Sequence, residues 1–152
     1  MTSKERVLQR EWERGRAAAR DLAARTVSES LTGTAIIAEE DCIPLWREDA
    51  VYTVGMIGWP VRHDGQVYTI LQAHTPANNP GSYPKDLPAI YSIKHTTDPA
   101  KAKPYQPPNG TSGVYNMGDC CTEDGKTYRS KQNSNVWSPK EYPDWWEEVT
   151  DG

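Results

Sequence analysis

Residues 113–149 read GVYNMGDCCTEDGKTYRSKQNSNVWSPKEYPDWWEEV. The middle of this stretch has the outline of a hairpin: 119–123 as one arm, Asp124-Gly125 as the turn and 126–132 as the other arm. Asp-Gly takes the positive φ values that a tight primed turn requires, so the pair is a strong local hairpin signal.

The same pattern stands once earlier in the chain. GWPVRHDGQVYTILQ at 58–72 aligns without a gap with GDCCTEDGKTYRSKQ at 118–132, matching Gly58, Asp64, Gly65, Tyr68 and Gln72 to Gly118, Asp124, Gly125, Tyr128 and Gln132. A second matched pair follows, PKDLPAIY at 84–91 against PKEYPDWW at 139–146. A match through a turn and another after it predict two copies of one small β module.

The run Tyr115, Gly118-Asp119, Gly125, Tyr128, Ser130, then Trp146 and Val149, resembles the small carbohydrate-binding module of family 5/12, the chitin-binding type. NVWSP followed by YP and a closing Trp is similar to the variant found in phage and prophage tail-associated proteins. The resemblance covers 113–149 well and 51–93 loosely. It implies compact three-stranded antiparallel units that bind glycan through exposed aromatic rings. Chitin-binding members carry a tandem aromatic pair after the Tyr-x-Ala/Ser step, where this chain has Gln132-Asn133 and Gln72-Ala73.

Trp146 aligns with the family's closing Trp and reads as core. The implied glycan contacts then fall to Trp137 and Trp145 for stacking, with Gln132, Asn133 and Asn135 as amide partners and Tyr83 as the nearest first-copy aromatic. The longer first-copy loop around 73–82, with His74, Asn78 and Asn79, reads as a surface loop, which is where binding residues often sit.

Working outward, 94–112 contains Pro99, Pro104, Pro107 and Pro108 without periodicity and reads as an extended, semi-rigid linker. Residues 33–50 are a connector. Within it, Ala35 to Ala38 is a short apolar run suited to a strand, and Glu39, Glu40 and Asp41 are an acidic cluster read as an exposed loop. Residues 1–32 read as one helix from Ser3 to about Ser30, closed by Leu31-Thr32-Gly33. Leu8, Trp12, Gly15, Ala19, Leu22 and Thr26 recur at heptad spacing, which suits oligomerisation or docking, and equally an amphipathic helix on its own chain. The fold class expected is mainly β with an N-terminal α-helix: modules at 51–93 and 113–152 joined by the linker.

Composition agrees with small modules. Hydrophobic residues are 36 % of the 152, there is no Phe, and twelve Pro with eleven Gly favour short strands and many turns. Such units bury little core and rely on large rings. A net charge of −4 without a basic face argues against nucleic acid. No apolar run has the length of a membrane span, and the charged N-terminus lacks the apolar core of a secretory signal, so a virion location, or an extracellular one after assembly or lysis, is expected. Cys42, Cys120, Cys121, His63, His74 and His95 show no metal-ligand spacing, and adjacent Cys120 and Cys121 read as one buried and one half-exposed thiol. No nucleophile elbow or HExxH pair is present, and the acidic cluster lacks the opposed partner that a glycosidase needs.

The sequence therefore predicts a non-catalytic tail protein that recognises host cell-surface polysaccharide, with no cofactor or metal. Its expected partners are the glycan, other tail or particle proteins, and further copies through the helix. The alternative is a structural or decoration component of the particle.

Overall fold

The computed structural model describes residues 2–110 and 112–150, the side chains of 4–15 excepted. The heptad positions Leu8, Trp12 and Gly15 lie outside that description. The fold is mostly β with one long helix near the N-terminus and two sheets.

Helix α1 spans Ser3–Ser28. It closes on Ser30, whose φ of 50° lets the Leu31 amide reach back to the Thr26 carbonyl at 3.3 Å. Gly33, expected at that terminus, instead opens a second helix, α2, Gly33–Ala38. The apolar run expected as a strand is thus helical. Thr32 caps it, its hydroxyl accepting from the Ala35 amide at 3.2 Å. A short 3-10 turn, Glu40–Cys42, follows.

The first sheet is β1 (Pro60–His63), β2 (Gln66–Ile70) and β3 (Tyr91–Lys94), antiparallel in that order. The second has β4 (Lys103–Pro104), β5 (Cys120–Glu123), β6 (Lys126–Ser130) and β7 (Trp146–Val149). Corresponding strands share one register: Pro60 faces Thr69 as Cys120 faces Arg129, and Ile70 faces Tyr91 as Ser130 faces Trp146. Asp64-Gly65 and Asp124-Gly125 turn the two hairpins with φ of 49° and 76°, and 52° and 77°.

The correspondence reaches further toward the N-terminus than the aligned blocks. β4 pairs parallel with β5, and Leu45 makes a parallel bridge to Arg62 at the matching place. The Tyr105 amide donates to Thr122 O at 2.9 Å as the Trp46 amide donates to Arg62 O at 2.7 Å. The hydroxyls of Tyr52 and Tyr115 accept from the Arg47 and Gln106 amides at 3.2 and 3.1 Å. The Pro-rich segment expected as a linker therefore carries β4, and the second sheet has four strands rather than three.

Both faces of β2 are covered. Val67 packs with Leu22 of α1, Ile36 and Ile37 of α2, and Ile43, while Tyr68 and Ile70 face a ring-rich core with Tyr52, Val61 and Tyr91. The helices on one side explain why alternation along β2 does not expose every second residue. β6 carries no such cover, and only its last residue, Ser130, is buried. The second core is Tyr115, Cys121 and Trp146, with Tyr105, Tyr128 and Trp145 against it. Cys120 and Cys121 are both buried, because the 96–97 segment covers Cys120: its amide donates to Thr96 O at 2.7 Å and its Sγ lies 3.7 Å from Thr97 O.

The acidic cluster ties elements together. Arg25 grips Glu39 with two bonds of 2.8 Å, and Glu40 pairs with Lys103 and, at 3.6 Å, with Lys101. Gly33 sits where a Cβ would stand 2.2 Å from the His95 carbonyl oxygen, so only glycine lets α2 approach the end of β3 this closely.

A ring face on the loop between β6 and β7

The loop that joins β6 to β7 is pinned by Asn135. Its backbone exchanges bonds with Tyr115 at 2.8 and 2.9 Å. Its side-chain Nδ2 donates to Ser130 Oγ at 3.1 Å, and Oδ1 accepts from the Trp137 amide at 3.0 Å. The Trp137 carbonyl accepts from Trp146 Nε1 at 2.9 Å. The backbone of Trp137 is thus held from both sides, while its ring is left 43 % exposed.

Tyr142 lies against it, 41 % exposed, with ring centroids 6.1 Å apart and planes 29° from parallel. Trp145 meets Tyr142 edge-on, at 5.3 Å and 75°, and is half-buried against the second core. Local backbone bonds set this corner: the Tyr142 amide donates to Ser138 O at 3.0 Å and the Trp145 amide to Tyr142 O at 3.1 Å. Beneath it, the Tyr105 hydroxyl donates to Val136 O at 2.8 Å. Burial pushes the Tyr105 phenol up to about 12, so it remains a donor at neutral pH.

The sequence-named residues divide between this face and the framework. Trp137 and Trp145 are brought together here, joined through Tyr142. Gln132 and Asn133 are exposed nearby in the chain, with Asn133 Oδ1 accepting from the Met117 amide at 3.0 Å and the Gln132 carbonyl accepting from Ser130 Oγ at 2.8 Å. Asn135 is 0 % exposed, and its side chain bonds within the protein. Tyr83 belongs to the first sheet, where it stacks on His63 at 5.2 Å and 13° and meets Trp46 edge-on at 5.6 Å.

Tyr142 is not among the candidates named from the sequence, and its aligned residue in the first copy is the aliphatic Leu87. The available signal was a large amphipathic ring in a loop next to proline. At the matching places the first sheet has Ser82, Leu87 and Ile90, and the last two are half-buried against its core. The ring face is thus a property of the second sheet.

Among the described residues no group of three His, Cys, Asp or Glu is placed to hold a metal ion, and no helix is long and apolar enough to cross a membrane. Compared with known proteins, the chain matches no protein-family model and no curated protein.

Proposed function

We propose that the protein is a non-catalytic carbohydrate-binding protein of a phage or prophage tail. On this reading the two sheets are tandem copies of one small β module, and the second binds host cell-surface polysaccharide. The observation that carries the binding is the face formed by Trp137 and Tyr142, two rings about two-fifths exposed and close to parallel, with Trp145 closing one side. Flat exposed rings present C–H acceptors for the apolar faces of sugar rings. Placement in a tail rests on the sequence resemblance.

Each stacked ring contributes about 0.5–1.5 kcal/mol, by analogy with other aromatic contacts. One face per chain therefore binds weakly, and firm attachment requires several chains, which gain roughly 10²–10⁴-fold when geometry permits joint engagement. The N-terminal turns of α1 are the proposed means of association. The test is retention on purified cell walls and on chitin. Trp137→Ala and Tyr142→Ala are each expected to abolish retention while the melting temperature changes little. Retention unchanged in both variants, with the fold intact, removes this reading.

A structural or decoration role in the particle is the second reading. It is favoured by Asn133 and Asn135, whose amide oxygens accept from the backbone amides of Met117 and Trp137 rather than facing a ligand.

A further inference from the structure

Asn109 is followed by Gly110, the one Asn-Gly pair in the chain. The pair lies in a turn closed by Asn109 and Ser112, whose backbones exchange bonds of 2.9 and 3.1 Å. Gly110 holds φ at 63°, a conformation open to glycine. Both residues are exposed, and a Cβ at Gly110 would have nothing within 4 Å. Among the described residues neither the Asn109 side chain nor the Gly110 amide has a hydrogen-bond partner. The backbone nitrogen that follows an asparagine can attack its side-chain carbonyl carbon when that nitrogen is unbonded, reached by water and unhindered by a side chain of its own.

The other asparagines each fail one of these conditions. Asn79 precedes Pro80, which has no N–H to give up. The amide that follows Asn78 donates to Pro76 O at 2.9 Å. Asn116 and Asn133 guard each other: the Met117 amide donates to Asn133 Oδ1 at 3.0 Å, and the Ser134 amide to Asn116 Oδ1 at 3.1 Å. Asn135 is 0 % exposed, with both ends of its side chain bonded.

We propose that Asn109-Gly110 is a site of spontaneous covalent modification, at which Asn109 converts through a cyclic imide to aspartate and isoaspartate. Solvent base removes the Gly110 amide proton, and the nitrogen attacks Asn109 Cγ. As the new N–C bond forms, the Cγ–Nδ2 bond breaks, and Nδ2 leaves as ammonia with its two hydrogens and one from solvent. One water then opens the ring. Opening at Cγ restores the main chain and gives aspartate. Opening at the backbone carbonyl carbon routes the main chain through Cγ and gives isoaspartate.

Either product adds one negative charge. Isoaspartate also lengthens the main chain by one carbon and turns the carbonyl that accepts from the Ser112 amide into a free carboxylate. The turn runs directly into Gly113, whose carbonyl accepts from His95 Nε2 at 2.8 Å, and Asn109 lines a small cleft between the sheets with Tyr68 and Lys85. Conversion therefore alters the joint between the sheets, slowly and in one direction.

The experiment incubates the full-length protein for several days in mildly alkaline buffer, in parallel with a sample held unfolded in guanidinium chloride. Each asparagine is then followed by the mass and chromatography of its proteolytic peptide. In the folded protein, replacement of the side-chain amino group by hydroxyl is expected in the Asn109 peptide and in no other, as two products of equal mass that elute apart. The rate is expected to rise with pH, since the attacking nitrogen must lose its proton, and conversion is lost in Asn109→Gln. In guanidinium chloride Asn133 is expected to convert as well, because unfolding releases the Ser134 amide. Asn109 left intact in the folded protein overturns the inference, whether or not the unfolded chain converts. Earlier conversion of another asparagine in the folded protein overturns it too.

Discussion

Asn135 shows how one side chain couples stability to exposure of a ring. Fully buried, it satisfies Ser130 Oγ and the Trp137 amide together. Asn135→Ala leaves both without that partner and is expected to cost about 1–3 kcal/mol, measured by denaturant unfolding. Because the same bond fixes the backbone that carries Trp137, the variant is also expected to lose cell-wall retention at a temperature where it is still folded. From sequence, Asn135 was grouped with the sugar-facing amides because it neighbours Trp137. Neighbourhood in sequence does not say which way a loop side chain turns, and here the need of Ser130 and Trp137 for partners turns it inward. The burial of Trp146 was readable, since the closing aromatic of each copy falls at the same register place.

The joint between the sheets is a chemical contact with its own pH response. His95 stacks on Tyr115 with centroids 3.8 Å apart, and its Nε2 donates to the Gly113 carbonyl at 2.8 Å. Burial holds its pKa below the ordinary 6.5, helped by nearby Lys94, while the Gly113 bond and Asp119 pull the other way. The neutral ring is thus the folded form. As pH falls through about 6.5, the unfolded chain takes up a proton before the native one does, so stability present above that value is lost on acidification. Asp119 acts oppositely at lower pH, since burial raises its pKa above the ordinary 3.8. The denaturant midpoint is expected to fall between neutral pH and about pH 5.5, with a shallower fall in His95→Gln. An equal slope in both removes His95 as the cause. This joint is not legible in the sequence, because Pro-rich composition signals extended backbone but not what it lies against. The hairpins were foreseen, because Asp-Gly turns are specified by two adjacent residues. Strand β4 is not legible in the sequence, because two residues, one of them proline, carry no alternating pattern.

At the scale of the molecule, the C-terminal part of α1 belongs to the body. The helix runs about 39 Å at 1.5 Å per residue, and Leu22 near its C-terminal end is 1 % exposed in the core beneath β2. Leu22→Ala is expected to cost about 2–5 kcal/mol, so removing all of 1–31 strips the first sheet of a core side chain. Removing 1–15 instead spares that core. If the N-terminal turns associate as proposed, this shorter truncation lowers the mass seen by light scattering while the fold is kept. An unchanged mass ends the proposal of self-association.

The shared register has a consequence for how the chain reaches its native state. Two hairpins of equal length, each turned by Asp-Gly and each awaiting a third antiparallel strand, can trade closing strands during folding: β2 with β7, or β6 with β3. Backbone geometry does not forbid the exchange. Side chains do, since β7 would bring Glu147 and Glu148 to the places of Ser92 and Ile93. Side-chain chemistry, rather than backbone register, thus selects the native closure in each sheet.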